Sequence, residues 1–428
     1  MNRVIQTYNL NQTITLSIWC LFFITPFLSP NIFQAPTAVG LMAFSTALFA
    51  AGWMSISPKY DAYIPPWAWL FLLLYLFPTA ILLLQGNVNS PWQALKQCIY
   101  LTAAWLIYAM ATPQASSLLK SPYWAALLAI IAHLYVIYAL LQSFDLHFLM
   151  PDKDALFLVW FDQKSYYSGP FMQRNMQALF LLISIVFLWL HMIKHQYRWS
   201  WGAATIVPIC GLLLTASRSG ILILLIAAII IFLLSKDKPT YALSVIWPIV
   251  LAWLIYSWIL IFPSTESTLP NLVERVESTG VLPRILVWTM SLQIFFTHPW
   301  LGVGWGNLPA HDMEGIIMAL DTYPTLANIA STMPFAHVWS HNIILQFLVE
   351  GGVFGATAIA VVLIVLFKQG WQCLIKKKYT DEGEIYAWLM SFIILTHGMV
   401  SISVMQPFFM ALLALSLAAC FSPIHEKS

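Results

Sequence analysis

Apolar residues in this chain come in long unbroken runs, not in the short alternations of a half-buried strand or the one-sided stripe of a soluble helix. A membrane-spanning helix needs roughly 20 apolar residues. The runs at 12–29, 36–55, 65–85, 97–112, 122–142, 175–193, 200–217, 219–235, 241–262, 340–367, 385–403 and 405–421 meet or approach that length. They predict an all-α polytopic membrane protein with about 12 transmembrane helices. The pair on either side of Arg218 and the last pair have almost no chain between them, which predicts very tight turns or reentrant hairpins. A transmembrane barrel would show alternating segments of about 10 residues instead.

Two polar interruptions stand out, 143–174 and the longer 263–339. The stretch from Arg284 to Gly352 reads RILVWTM, then HPWLGVGWGN, then HVWSHNIILQFLVEGG, and gathers arginine, histidine, asparagine and glycine. Composition agrees with the pattern: 60% of the 428 residues are hydrophobic and 8% charged, against about 25% charged in a soluble domain. The first run, from Thr13 to Leu28, lacks a convincing small-residue cleavage site after it and is expected to stay as a helix. The chain reads as one integral membrane domain, 1–428, with 263–339 as a large loop containing short helices.

Basic residues set the orientation. With the N-terminus cytoplasmic, all but seven of the 19 lysines and arginines fall inside, the seven being Lys96, Lys153, Lys164, Arg174, Arg218, Arg275 and Arg284. That is the positive-inside distribution, and Lys376 to Lys378 is its strongest element. Both termini are then cytoplasmic, and 143–174 and 263–339 face the exterior or periplasm. The net charge of +2 and the absence of a basic stripe give no support for a nucleic-acid partner. Cys20, Cys98, Cys210, Cys373 and Cys420 are scattered, with no CxxC pair to suggest a disulfide framework or a zinc site.

Candidate chemistry sits at the outer ends of the runs. Arg218, in LTASRSG, must face water, a cavity or an anion, because a guanidinium in lipid is expensive; snorkelling to the interface is the plain alternative. Arg284 and Trp288 are four apart and share a helix face, with Pro283 in the first turn. They form either an amphipathic surface segment or an anion clamp, since guanidinium holds phosphate oxygens in bidentate geometry. Gly302, Gly304 and Gly306 lack the context of a nucleotide fingerprint. They suit a tight turn, with exposed N–H groups near Gly304 as a weaker phosphate-binding reading.

His341 is the best general base by type, since its unperturbed pKa lies near neutrality. Ser340 is the expected cap of the helix that follows, and Asn342, Gln346 and Glu350 share a face of it. His337 and His341 are four apart, but HVWSH lacks the glutamate of a zinc-protease helix, so no metal and no cofactor is expected. Gly169, Gln173, Arg174 and Asn175 in GPFMQRN stand at a helix mouth, placed to bind sugar hydroxyls or to cap the helix. His397, near the outer end of its run, either lines the same cavity or pairs with a neighbour.

TASRSG, RILVW, HPWLGVGWGN and SHNIILQFLVEGG resemble the motifs of the bacterial O-antigen ligase and protein O-oligosaccharyltransferase superfamily, which includes O-antigen polymerases. IPPWAWLFLLL and GPFMQRN look most like its pilin-type O-oligosaccharyltransferase branch. The resemblance implies an inner-membrane glycosyltransferase with a periplasmic active site. Its donor would be a glycan on undecaprenyl diphosphate, and its acceptor a serine or threonine hydroxyl of a pilin-like protein. In the ligase branch the acceptor is lipid A core sugar. Arg218 and Arg284 match the family's diphosphate-binding arginines, and His341 matches its acceptor-activating histidine. Gln173, Asn175, Trp288, Gly304, Asn342 and His397 are the expected supporting residues. A transporter of polysaccharide or another solute is the rival class, but its repeated halves and midplane helix breaks are not visible here.

Overall fold

A computed structural model describes residues 2–28, 36–56, 64–143, 169–171, 173–194, 198–234, 238–261, 281–330, 339–375, 382–401 and 405–421. Its helices are α1 (Asn2–Ile24), α2 (Pro36–Ser55), α3 (Pro66–Leu84), α4 (Pro91–Ala111), α5 (Ala115–Leu119), α6 (Pro122–Ser143), α7 (Arg174–Lys194) and α8 (Arg198–Leu214). There follow α9 (Arg218–Leu234), α10 (Lys238–Ile261), α11 (Val281–Thr297), α12 (Asp312–Thr322), α13 (Ile343–Ile375), α14 (Glu382–Gly398) and α15 (Pro407–Cys420). No strand occurs among the described residues. Each of the twelve predicted runs contains a helix. Five helical stretches are long and apolar enough to cross a membrane by length and composition: Pro66–Leu84, Pro91–Ala111, Pro122–Leu141, Arg174–Met192 and Ile343–Cys373. The region 144–168, His337 and the lysines at 376–378 lie outside the described residues.

The helix starts follow from sequence. Five of these helices (α2, α3, α4, α6 and α15) begin at a proline, where the missing N–H would be unpaired in any case and the fixed φ suits a first turn. The outer face, not the core, sets this bundle apart from a soluble one. In α7 every residue from Gln177 to Met192 is buried, and α6, α8, α9 and α14 pack around it. Outer helices instead turn large apolar side chains outward, such as Trp69, Leu73 and Leu84 of α3 or Leu222 and Ile229 of α9. That distribution fits a lipid solvent, in which backbone polar groups must be satisfied within helices while the outer surface is apolar. Near one end of the core, aromatic rings interlock: Phe408 stacks on Phe22 at 4.5 Å, and Tyr135 donates its hydroxyl hydrogen to the carbonyl of Phe23.

The turn joining α8 and α9 is tight, as predicted: Thr215, Ala216 and Ser217 alone separate them, with Ala216 at φ 49°. The polar segment 281–330 has a small core of its own, in which Leu286, Met290 and Ile294 of α11 meet Ile316 and Ala319 of α12. Val303, Leu308 and Val349 complete it, so the segment is fastened to α13.

Candidate functional site

The HPWLGVGWGN turn is a docking element. The path of α13 breaks at Gly352, where φ is 60° and ψ is −148°, and the turn fills that break. Val303 N–H donates to the Val349 carbonyl at 3.0 Å, Gly304 N–H to the Glu350 carbonyl at 2.9 Å, and Val353 N–H to the Pro299 carbonyl at 2.9 Å. A side chain on Gly302 would strike the Val349 and Glu350 backbone, and one on Gly352 the Trp300 and Gly302 backbone, so neither position has room for one. Further along, the Trp305 ring stacks on Tyr75 at 3.9 Å, its Nε1–H donates to the Tyr75 carbonyl, and its N–H donates to Thr79 Oγ1. Buried Asn307 accepts from Ser90 N–H at 2.7 Å and donates to the Trp305 carbonyl. The Glu350 carboxylate accepts from Leu308 N–H. This corrects one expectation: the Gly304 N–H is not free for a phosphate, because Glu350 consumes it and the glycine is buried.

The arginines come together from distant parts of the chain. Arg218 is the first residue of α9 and is exposed. Ser217 precedes it, and its Oγ accepts from Gly220 N–H while its carbonyl accepts from Ile221 N–H. The Ser217 hydroxyl also donates to Asn175 Oδ1 at 3.2 Å, tying the start of α9 to the start of α7. Arg284 is half-buried in the first turns of α11, on the face it shares with Trp288, whose Nε1 is buried without a hydrogen-bond partner. Burial, and then the positive charge of Arg218, push the Arg284 pKa below its usual value. No carboxylate among the described residues pairs with Arg284. His397, at the end of α14, lies within electrostatic reach of Arg284. It is fully buried, with neither ring nitrogen hydrogen-bonded. Arg218 and His397 thus both lie within electrostatic reach of Arg284.

His341 is two residues before α13 and is half-buried in a left-handed backbone conformation, φ 54°. The expected cap is displaced by two residues. Asn342 Oδ1 accepts from Ile344 and Leu345 N–H at 2.9 and 3.2 Å, which makes Asn342 the cap. Ser340 instead donates its hydroxyl hydrogen to the Asn342 carbonyl, and its N–H donates to Gln346 Oε1. The Ser340 and Asn342 side chains together hold the strained residue between them. Ile343 and Leu395 line one apolar groove with Phe71, Trp105, Phe347 and Met405. His341 is two residues from Ile343 and His397 two residues from Leu395, so both stand close along the chain to this groove.

At the mouth of α7, the Gln173 carbonyl accepts from Met176 and Gln177 N–H, while its side-chain oxygen is buried without a partner. Gln177, one turn further on, was not singled out from sequence. It is buried, and neither amide atom is hydrogen-bonded. A glutamine inside an apolar run, four residues after another, was the signal that could have marked it.

Residues 203–360 match the model of the O-antigen ligase family. The matched segment takes in Arg218, Arg284, the glycine turn, His341 and the break at Gly352, and leaves out Gln173, Asn175 and His397. A comparison with curated proteins returned no match. The match supports glycan transfer of the O-antigen ligase and polymerase kind, and with the apolar helices it supports an integral membrane protein.

Proposed function

We propose that this chain is a bacterial inner-membrane glycosyltransferase. It moves a glycan from undecaprenyl diphosphate to a hydroxyl acceptor at the periplasmic face, and all twelve predicted runs cross the bilayer. The observation that carries the reading is the pair of guanidinium groups: Arg218 lies near enough to push the Arg284 pKa down, and no carboxylate among the described residues pairs with Arg284. Holding like charges together is unfavourable unless an anion enters, and a diphosphate supplies charge and oxygens for bidentate bonding. The groove between Phe71 and Leu395, lined almost wholly by apolar atoms, offers a path for the prenyl tail.

In the proposed reaction His341 takes the proton from the acceptor hydroxyl. The oxygen attacks the anomeric carbon with inversion, and the bond to the lipid diphosphate breaks. Arg218 and Arg284 stabilise the charge developing on the leaving diphosphate, the role of preorganised positive groups at a reacting centre. His397 is a hydrogen-bonding group beside Arg284, and Gln173 and Asn175 flank the Arg218 turn. Trp288 packs on the face of α11 that carries Arg284.

The acceptor is proposed as a serine or threonine of a pilin-like protein, on the likeness of IPPWAWLFLLL and GPFMQRN. The matched family favours a second reading, with lipid A core sugar as the acceptor. The test is a reconstituted reaction with one lipid-linked donor, offered pilin, lipid A core and a second lipid-linked repeat unit. His341→Ala is expected to lower turnover by about 10²–10⁴-fold, the usual worth of a positioned base. Arg284→Lys is expected to rescue little of the loss in Arg284→Ala, because an ammonium cannot reproduce the planar fork. Full-rate transfer by the His341 variant would overturn the assigned base, and solute accumulation in proteoliposomes without transfer would overturn the class.

A further inference from the structure

We propose that His298, His311 and Glu314 bind a divalent transition-metal ion, zinc by ligand type, at a site separate from the arginine pair. One ligand atom from each of the three side chains lies within 4.8 Å of the others. His311 Nδ1 and Glu314 Oε2 are 3.1 Å apart. Two ligands on a tetrahedral zinc ion with bonds of about 2.0–2.1 Å stand about 3.3 Å apart, so this edge is nearly formed. The His298 ring meets the His311 ring edge-on, with centroids 5.5 Å apart. A small rotation of His298 closes the triangle and leaves a fourth position to water.

The surroundings fit a ligating histidine. His311 Nε2, the ring nitrogen away from Glu314, is 3.1 Å from the Asn89 side-chain amide, which comes from the connection between α3 and α4. The orientation of an amide group is an assignment. Turned with its oxygen toward the ring, Asn89 accepts the Nε2–H and leaves Nδ1 for the metal, the usual outer-shell arrangement. Two imidazoles with one carboxylate favour zinc over magnesium or calcium, which prefer oxygen alone. Both histidines are half-buried and Glu314 is exposed, so the ion has protein on one side and solvent access on the other.

The site lies at the far end of α11 from Arg284. His298 is the fourteenth residue after Arg284 in the sequence, about 21 Å on at a helical rise of about 1.5 Å per residue. The ion is therefore structural. It fastens the first turn of α12 to the HPW turn and, through Asn89, fastens both to the α3–α4 connection. The bare alternative is a His311–Glu314 pair one helical turn apart, with the glutamate favoured at a helix start.

The full chain, purified in detergent without a histidine tag, is stripped with a chelator and then equilibrated with zinc or cobalt. Wild type is expected to retain one zinc per chain after dialysis and to give the intense visible bands of tetrahedral cobalt. His298→Ala and Glu314→Ala are expected to lose both, and Asn89→Ala to weaken binding by about 10–100-fold. His298→Gln guards against misfolding: zinc should raise the melting temperature of wild type and not of this variant, with both eluting as one species. Equal metal content, or equal melting shifts, in wild type and the His298 variants would overturn the proposal. The readout is metal and stability, so it stands or falls apart from the transfer reaction.

Discussion

Gly352→Ala tests whether the break in α13 is the seat of the polar segment. The backbone there, at φ 60° and ψ −148°, belongs to a region almost closed to residues with a Cβ, and occupying it with alanine costs about 1–3 kcal/mol. The added methyl would also lie 2.3 Å from the Trp300 carbonyl oxygen, 2.5 Å from its carbon and 2.7 Å from the Gly302 nitrogen. All three are backbone atoms, so no side chain can swing aside and the turn itself must move. Moving it strains the three hydrogen bonds from Val303, Gly304 and Val353, each worth about 1 kcal/mol net. Together these give a loss of about 4–6 kcal/mol, on the order of 10 °C in melting temperature. Gly52→Ala is the control, since its methyl would meet nothing within 4 Å and its helix should gain up to about 1 kcal/mol. Thermal unfolding in detergent, read by size-exclusion recovery after heating, measures both. A Gly352→Ala protein that melts with wild type would refute the claim that the turn depends on this break.

Trp305→Ala should cost about 3–5 kcal/mol, the range for deleting a fully buried aromatic, since it removes the stack on Tyr75 and the bond to the Tyr75 carbonyl; a melting temperature near wild type would contradict the anchor. Asn342→Ala should lose about 0.5–2 kcal/mol, while Asn342→Asp, which keeps an acceptor for Ile344 and Leu345 N–H, should lose less. Equal melting of the two variants would show that Asn342 is not the cap.

How much of this was legible in the sequence depends on the distance over which each feature is decided. Apolar runs decide helices locally, so every predicted run contains one, and the Thr215–Ser217 turn could be read from its brevity. The glycine turn was misread in part because its partners are remote. The N–H of Gly304 has the look of a free donor until the Glu350 carbonyl, from a segment read as a plain helix, is seen to accept it. The cap was misplaced for a similar reason. Serine and asparagine are both good caps, and only the left-handed turn at His341 decides between Ser340 and Asn342.

Arg218 and Arg284 raise the question of what their meeting requires. Nothing in the spacing of two residues on separate helices says that they meet; the distribution of basic residues put them on one side of the membrane, and the likeness to a known family gave them a shared role. Their closeness carries chemical content because the described surroundings contribute His397 and not a carboxylate to Arg284. A structural arginine is normally neutralised by an acidic neighbour. Here the fold surrounds one guanidinium with a second and with an imidazole lacking hydrogen-bond partners, an arrangement that raises the energy of the ligand-free site. An anion entering beside Arg284 would offset the like charge of Arg218, which is why the proposed reading gives this pair a negatively charged substrate.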